Sequence, residues 1–91
     1  MYLKYYTKRF QKSLKKLLRS GKVSRDEVEL TIDLLASGKK LPPYFRDHSL
    51  YGGNDVLREC HIRGDILLIY QIEKKKIVLI LLDIGTHSEL F

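Results

Sequence analysis

Apolar residues recur along this chain at two different periods, and the change from one to the other falls at a pair of prolines. Between Thr7 and Ser20, the residues Phe10, Leu14, Leu17 and Leu18 stand at i, i+4, i+7 and i+8, one stripe of a helix. Lys8, Arg9, Lys12, Lys15, Lys16 and Arg19 fill the remaining positions, so the spacing predicts an amphipathic helix with a basic outer face, capped at its start by Thr7. Ser20, Gly21 and Lys22 break it. Ser24, followed three residues later by Glu27, reads as a capping box with Val23 and Val28 in staple positions, and it opens a second helix. Val28, Thr31, Ile32 and Leu35 line the inner face of that helix until Ser37 and Gly38 end it, and Pro42 and Pro43 forbid its resumption. The two helices form a hairpin over about residues 7–37, preceded by the aromatic run YLKYY at 2–6, which reads as an opening strand.

Beyond the prolines the period is two. In VLRECHI, residues 56–62, Val56, Cys60 and Ile62 face one way and Leu57, Glu59 and His61 the other, after which Arg63, Gly64 and Asp65 make a turn. ILLIYQI at 66–72 and KIVLILLDI at 76–84 are apolar on both faces, as central strands are, and EKKK is a short hairpin connection between them. The meander covers about residues 55–84. The predicted fold is α+β in a single domain, residues 1–91: an N-terminal strand and a two-helix hairpin packed on a small, mainly antiparallel β-sheet. Function is then expected on the uncovered face of the sheet and its loops.

Composition narrows the partners. The 17 basic and 11 acidic residues leave a net charge of +6, dense in the first 25 residues, which favours a polyanion, nucleic acid first and acidic protein second. Cys60 is the sole cysteine, which excludes an intramolecular disulfide and a CxxC metal knuckle and suits a reducing compartment. The first residues hold no apolar leader core, and the longest apolar run, IVLILL at 77–82, is far short of the ~20 residues of a membrane span, so a cytoplasmic protein with no membrane association is expected.

His48, His61 and His87 all lie in the second half, each near a carboxylate: Asp47, Glu59 and Asp65, and Glu89. Single histidines of this kind often cap strand ends. Three imidazoles could hold zinc, but separations of 13 and 26 residues provide no HxH or HxxxH pair that one element would present as two ligands. The third reading is metal-free cleavage of RNA through its own 2′-hydroxyl. That chemistry takes a base for the hydroxyl proton, an acid for the leaving 5′-oxygen and cations for the phosphorane, and imidazole and guanidinium groups supply all three. Phe91 is either a core plug or a platform on which a base stacks. The basic face carrying Lys12, Lys15 and Lys16 is either solvated or set against a phosphate backbone.

Four segments carry a resemblance: RDHSL at 46–50, RECHI at 58–62, GDILLIY at 64–70 and GTHSELF at 85–91. In order and spacing they resemble the YafQ branch of the RelE/ParE toxin superfamily, ribosome-dependent mRNA interferases of type II toxin-antitoxin systems, over about Phe10 to Phe91. The resemblance implies a RelE-like toxin that cuts mRNA in the ribosomal A site and is held inactive by a cognate antitoxin; the acid–base reading of the histidines calls for no metal and no small-molecule cofactor. It places the family's site residues on His48, His61, Asp65, His87 and Phe91, with His87 as general acid and Asp65 and His61 positioning or deprotonating the nucleophile. Arg58 and Arg63 are candidates for holding phosphate, although strand alternation turns Arg58 to the other face unless a bulge intervenes. Two positions depart from the pattern: Glu59 stands where the family often has Asp, and YGGNDV supplies Asn54 and Asp55 where relatives often have a tryptophan and a basic residue. Two other readings stay open, a basic RNA- or protein-binding module without chemistry and a decayed toxin that only binds its antitoxin.

Overall fold

Thr7 starts the first helix and ties it to the sheet at once. Its hydroxyl oxygen accepts the Phe10 N–H at 3.1 Å, and its O–H donates to the Leu81 carbonyl at 2.8 Å. The computed structural model describes residues 1–51 and 54–91, the side chains of residues 51–56 excepted. Its elements are β1 (Leu3–Tyr6), α1 (Lys8–Ser20), α2 (Arg25–Ala36), a 3-10 turn (Pro43–Phe45), β2 (His48–Tyr51), β3 (Asn54–Arg63), β4 (Ile66–Glu73), β5 (Val78–Thr86) and α3 (His87–Leu90). Gly21, at φ 75°, ends α1 with its N–H on the Leu18 carbonyl, the left-handed turn that glycine makes without penalty. The capping box expected at Ser24 and Glu27 is formed.

The strands make one five-stranded sheet in the order β1-β5-β4-β3-β2. Only β1 runs parallel to its neighbour, β5; the other pairings are antiparallel. Phe10 and Leu17 of α1 and Val28, Ile32 and Leu35 of α2 bury against Cys60, Leu68, Tyr70, Leu79, Leu81 and Ile84, so both helices cover the same face. The α+β architecture expected from the two periods is present. Three elements were not in that expectation: the 3-10 turn, the edge strand β2 and the final turn of helix.

Besides an irregularity between Ser49 and Tyr51 of β2, bulges on β3 and β5 decide which side chains face where. On β3 the register slips between His61, opposite Leu67, and Arg63, opposite Ile66. On β5 it slips between Asp83, opposite Ile69, and Leu81, opposite Tyr70. Each inserts one residue and flips the alternation beyond it. IVLILLDI therefore keeps Leu79, Leu81 and Ile84 in the core although Ile84 breaks the odd-numbered series.

Candidate active site

Side chains directly opposite one another in an antiparallel pair share a face. One row therefore runs His48, Glu59, Ile69 and Asp83 across four strands, and the next runs His61, Leu67 and Gly85. With Cys60 between them in the core, Glu59 and His61 point to the face away from the helices, about 7 Å apart along β3.

His48 Nδ1 lies 2.6 Å from the Arg46 carbonyl, and Nε2 lies 2.9 Å from Glu59 Oε1. A carbonyl only accepts, so Nδ1 carries a hydrogen. Nε2 and Oε1 can then hydrogen-bond only through one shared proton. Glu59 Oε2 is buried and has no hydrogen-bond partner among the described residues. His61 Nδ1 meets the Gly64 carbonyl at 3.1 Å, which fixes the tautomer in the same way and leaves Nε2 as the lone-pair nitrogen of the neutral ring.

The β3–β4 turn also gathers the end of the chain. The His87 N–H donates to the Asp65 carbonyl at 3.1 Å, and Thr86 and Glu89 form a second capping box that folds α3 back toward the sheet. Glu89 is held below the ordinary carboxylate range, first by the backbone N–H of Thr86 and then by its hydroxyl. Phe91 returns to His87, with ring centroids 5.2 Å apart and planes tilted by 38°. His61, Asp65, His87 and Phe91 therefore converge at one end of the sheet, with the His48–Glu59 pair one row away.

The cationic candidates are placed differently. The β3 bulge turns Arg63 out of the Glu59–His61 row, and its Nε meets Glu27 Oε2 of α2 at 3.2 Å. Arg58 shares the helix-covered face with Tyr70, and its Nη2 lies 3.2 Å from Asp47 Oδ2. Burial opposes the Arg58 charge, but hydrogen bonds with Asp47 and Tyr70 outweigh it and raise the guanidinium above its ordinary value. Burial, with Asp47 accepting the phenol hydrogen, pushes Tyr70 well up. Asp47, Arg58 and Tyr70 thus form a half-buried polar brace, which spacings of 11 and 12 residues gave no means of seeing. Lys12, Lys15 and Lys16 are exposed on α1; Lys12 and Lys15 border a groove with Leu14, Leu18 and Arg25, and the Lys16 charge helps to lower Glu89. The side chains of Asn54 and Asp55 lie outside the described residues. Arg46, the first residue of RDHSL, to which the sequence alone gave no role, lines a depression with Tyr44 and His61.

A family model described as the bacterial toxin of type II toxin-antitoxin system, YafQ, matches residues 2–91. A YafQ protein of Haemophilus influenzae is 40% identical over 68 residues, 72% of this chain and 67% of its own length. Among solved structures, a metal-bound toxin from Helicobacter pylori superposes with a TM-score of 0.91 at 40% identity, covering 100% of both chains. The E. coli DinJ–YafQ complex contains a chain that superposes with a TM-score of 0.84 at 26% identity, covering 100% of this chain and 99% of that one. The Helicobacter relative raises the question of a metal here. Among the described residues no three or more His, Cys, Asp or Glu side chains gather around a common point, and His48 Nε2 and Glu59 Oε1 are turned on each other.

Proposed function

Because the chain belongs to the YafQ family of bacterial type II toxin-antitoxin toxins, we propose that it is a ribosome-dependent mRNA endoribonuclease that uses the substrate's own 2′-hydroxyl and is neutralised by an antitoxin, as DinJ pairs with YafQ in the E. coli complex. The observation that carries this reading is the hydrogen bond from the His87 N–H to the Asp65 carbonyl, which sets His87, Asp65 and Phe91 beside the turn that also orients His61. In the mechanism, His61 Nε2 takes the 2′-hydroxyl proton, the 2′-oxygen attacks phosphorus, and the bond to the 5′-oxygen breaks as the His87 imidazolium protonates it. The products are a 2′,3′-cyclic phosphate and a 5′-hydroxyl. Asp65 positions the turn, the His48–Glu59 pair supplies a second proton relay on the same face, and Phe91 offers a ring to a base. The basic face of α1, with Lys12, Lys15 and Lys16, faces rRNA phosphates.

The test is single-turnover cleavage of mRNA on programmed ribosomes, with primer extension to map the cut. His87→Ala should lower the rate roughly 10²-fold or more with little change in ribosome binding, since a general acid contributes about 10²–10⁴ in rate. A 2′-deoxy nucleotide at the cut site should abolish cleavage. Intact transcripts at confirmed ribosome binding would favour the decayed toxin, and efficient cutting of the 2′-deoxy substrate would rule out the 2′-hydroxyl route.

A further inference from the structure

Tyr44 is an aromatic residue left 75% exposed, next to a phenylalanine that is only 5% exposed. Their rings stack with centroids 4.6 Å apart at an interplanar angle of 30°, within the 3-10 turn that Pro43 opens. One face of the tyrosine ring is thus held by a neighbour anchored in the core, and the other is presented to solvent. Such a ring is a fixed platform, which loses little freedom when something stacks on it.

Arg46 follows with φ 49° and ψ 40°, the left-handed conformation that side chains other than glycine rarely adopt. This twist brings the Arg46 carbonyl to His48 Nδ1. It also sends the Arg46 side chain to a depression of about 340 Å³ shared with Tyr44, His61 and Arg63. Arg9, Arg58 and Arg63 are each spoken for by a carboxylate, Asp83, Asp47 and Glu27 respectively, whereas Arg46 has no ion-pair partner among the described residues. A strained backbone, an unpaired guanidinium, a braced aromatic ring and a histidine with a fixed tautomer therefore meet at one hollow.

We propose that Tyr44 and Arg46 form a nucleotide-binding subsite beside His61, in which Tyr44 stacks one base of the mRNA and Arg46 holds a phosphate next to the cut. The proposal rests on the RNA-cleaving reading and extends it, since it assigns the substrate's position on the open face. Splayed single-stranded RNA is recognised by this pair of devices, a ring under the base and a guanidinium on the backbone. The volume lies at the low end of ligand pockets, about 300–1,000 Å³, which suits one nucleotide. A protein partner could also cover an exposed tyrosine, but the unpaired arginine and the adjoining imidazole favour a phosphate ester.

The experiment is single-turnover cleavage on programmed ribosomes over a range of toxin concentrations. Tyr44→Ala should raise the half-saturating concentration about tenfold or more and relax the preference for the base at one position, with a smaller change in the rate at saturation. Tyr44→Phe should behave as the wild type, because the ring and not the hydroxyl is used. Arg46→Gly tolerates the left-handed turn, so it removes the guanidinium without disturbing His48; it should raise the half-saturating concentration and lower the salt slope by about one. Thermal melts of each variant show whether the fold is kept. Wild-type cleavage with variants that saturate within twofold of it would overturn the subsite and leave the nuclease reading standing. Loss of antitoxin affinity in Tyr44→Ala with unchanged cleavage would make this a protein-binding surface and overturn the subsite equally. Absence of wild-type cleavage would overturn both.

Discussion

Glu59 holds an unusual position for a carboxyl group. Oε1 meets His48, while Oε2 is buried with no hydrogen-bond partner among the described residues. Leaving a buried polar oxygen unpaired costs about 1–3 kcal/mol, and a half-exposed imidazole does not depend on that oxygen for its own solvation. Glu59→Leu should therefore hold or raise the melting temperature while lowering mRNA cleavage about tenfold or more. A melting temperature lowered by more than roughly 5 °C would show instead that the carboxyl braces the strand pair. Cys60, next along β3, has the opposite character. It is fully buried, and burial pushes its thiol up to about 12, with Asp47 and Glu59 adding to the rise. A soluble thiol reagent near neutral pH should leave Cys60 untouched in the native protein and modify it fully in denaturant. Fast modification without denaturant would mean that β3 opens locally.

At the scale of elements, Glu27 does two jobs from one position. It closes the capping box of α2 with Ser24, and its Oε2 reaches Arg63 across to β3. The Ser24 backbone N–H is the main cause of its lowered pKa, with the Ser24 hydroxyl and the Arg63 charge helping. A carboxyl depressed in the folded state contributes stability that is present above its unfolded value and lost as pH falls through the folded value. Glu27→Gln should thus lower the melting temperature near pH 7 by on the order of 2–5 °C, less in high salt, with the gap closing as pH falls below the ordinary carboxylate range. A gap that stayed constant across that range would locate the effect in packing. The box itself was legible in the sequence because Ser24, Glu27 and the staple valines are local. So were both helices and the meander, whose periods of 3.6 and 2 follow from burial on one face. The Arg63 contact was not legible, since a period-two pattern carries no mark of the bulge at Ile62 that turns Arg63 toward the helices. β2 was missed because four residues, HSLY, have no pattern until paired with β3. The box at Thr86 and Glu89 was written in the same T-x-x-E code as the one at Ser24, but no apolar run follows it to announce a helix.

In the whole molecule, the sheet separates two tasks. One face carries the helices and the core, and the other carries the His48–Glu59 pair and His61, with His87 at its end. The histidines could be named from the sequence, but their shared face depends on register, and their convergence depends on the His87–Asp65 hydrogen bond between residues 22 positions apart. Six cations stand on α1, of which Arg9 reaches Asp83 of the histidine row and Lys16 helps to hold Glu89 low. The helix has no acid, and Lys12 lies three and four positions from Lys15 and Lys16, so their mutual repulsion slightly destabilises it. Such an arrangement is consistent with a docking role that is separate from chemistry. Replacing Lys12, Lys15 and Lys16 together with Ala should hold or slightly raise the melting temperature and raise the half-saturating toxin concentration on ribosomes several-fold at low salt. The effect should shrink as salt is raised toward roughly 0.5 M, where charges are screened over a few ångströms, and the cleavage rate at saturation should match the wild type. A fall in that saturated rate with unchanged half-saturation would mean that α1 bears on the reacting groups through the sheet, and the division of labour between the two faces would have to be abandoned.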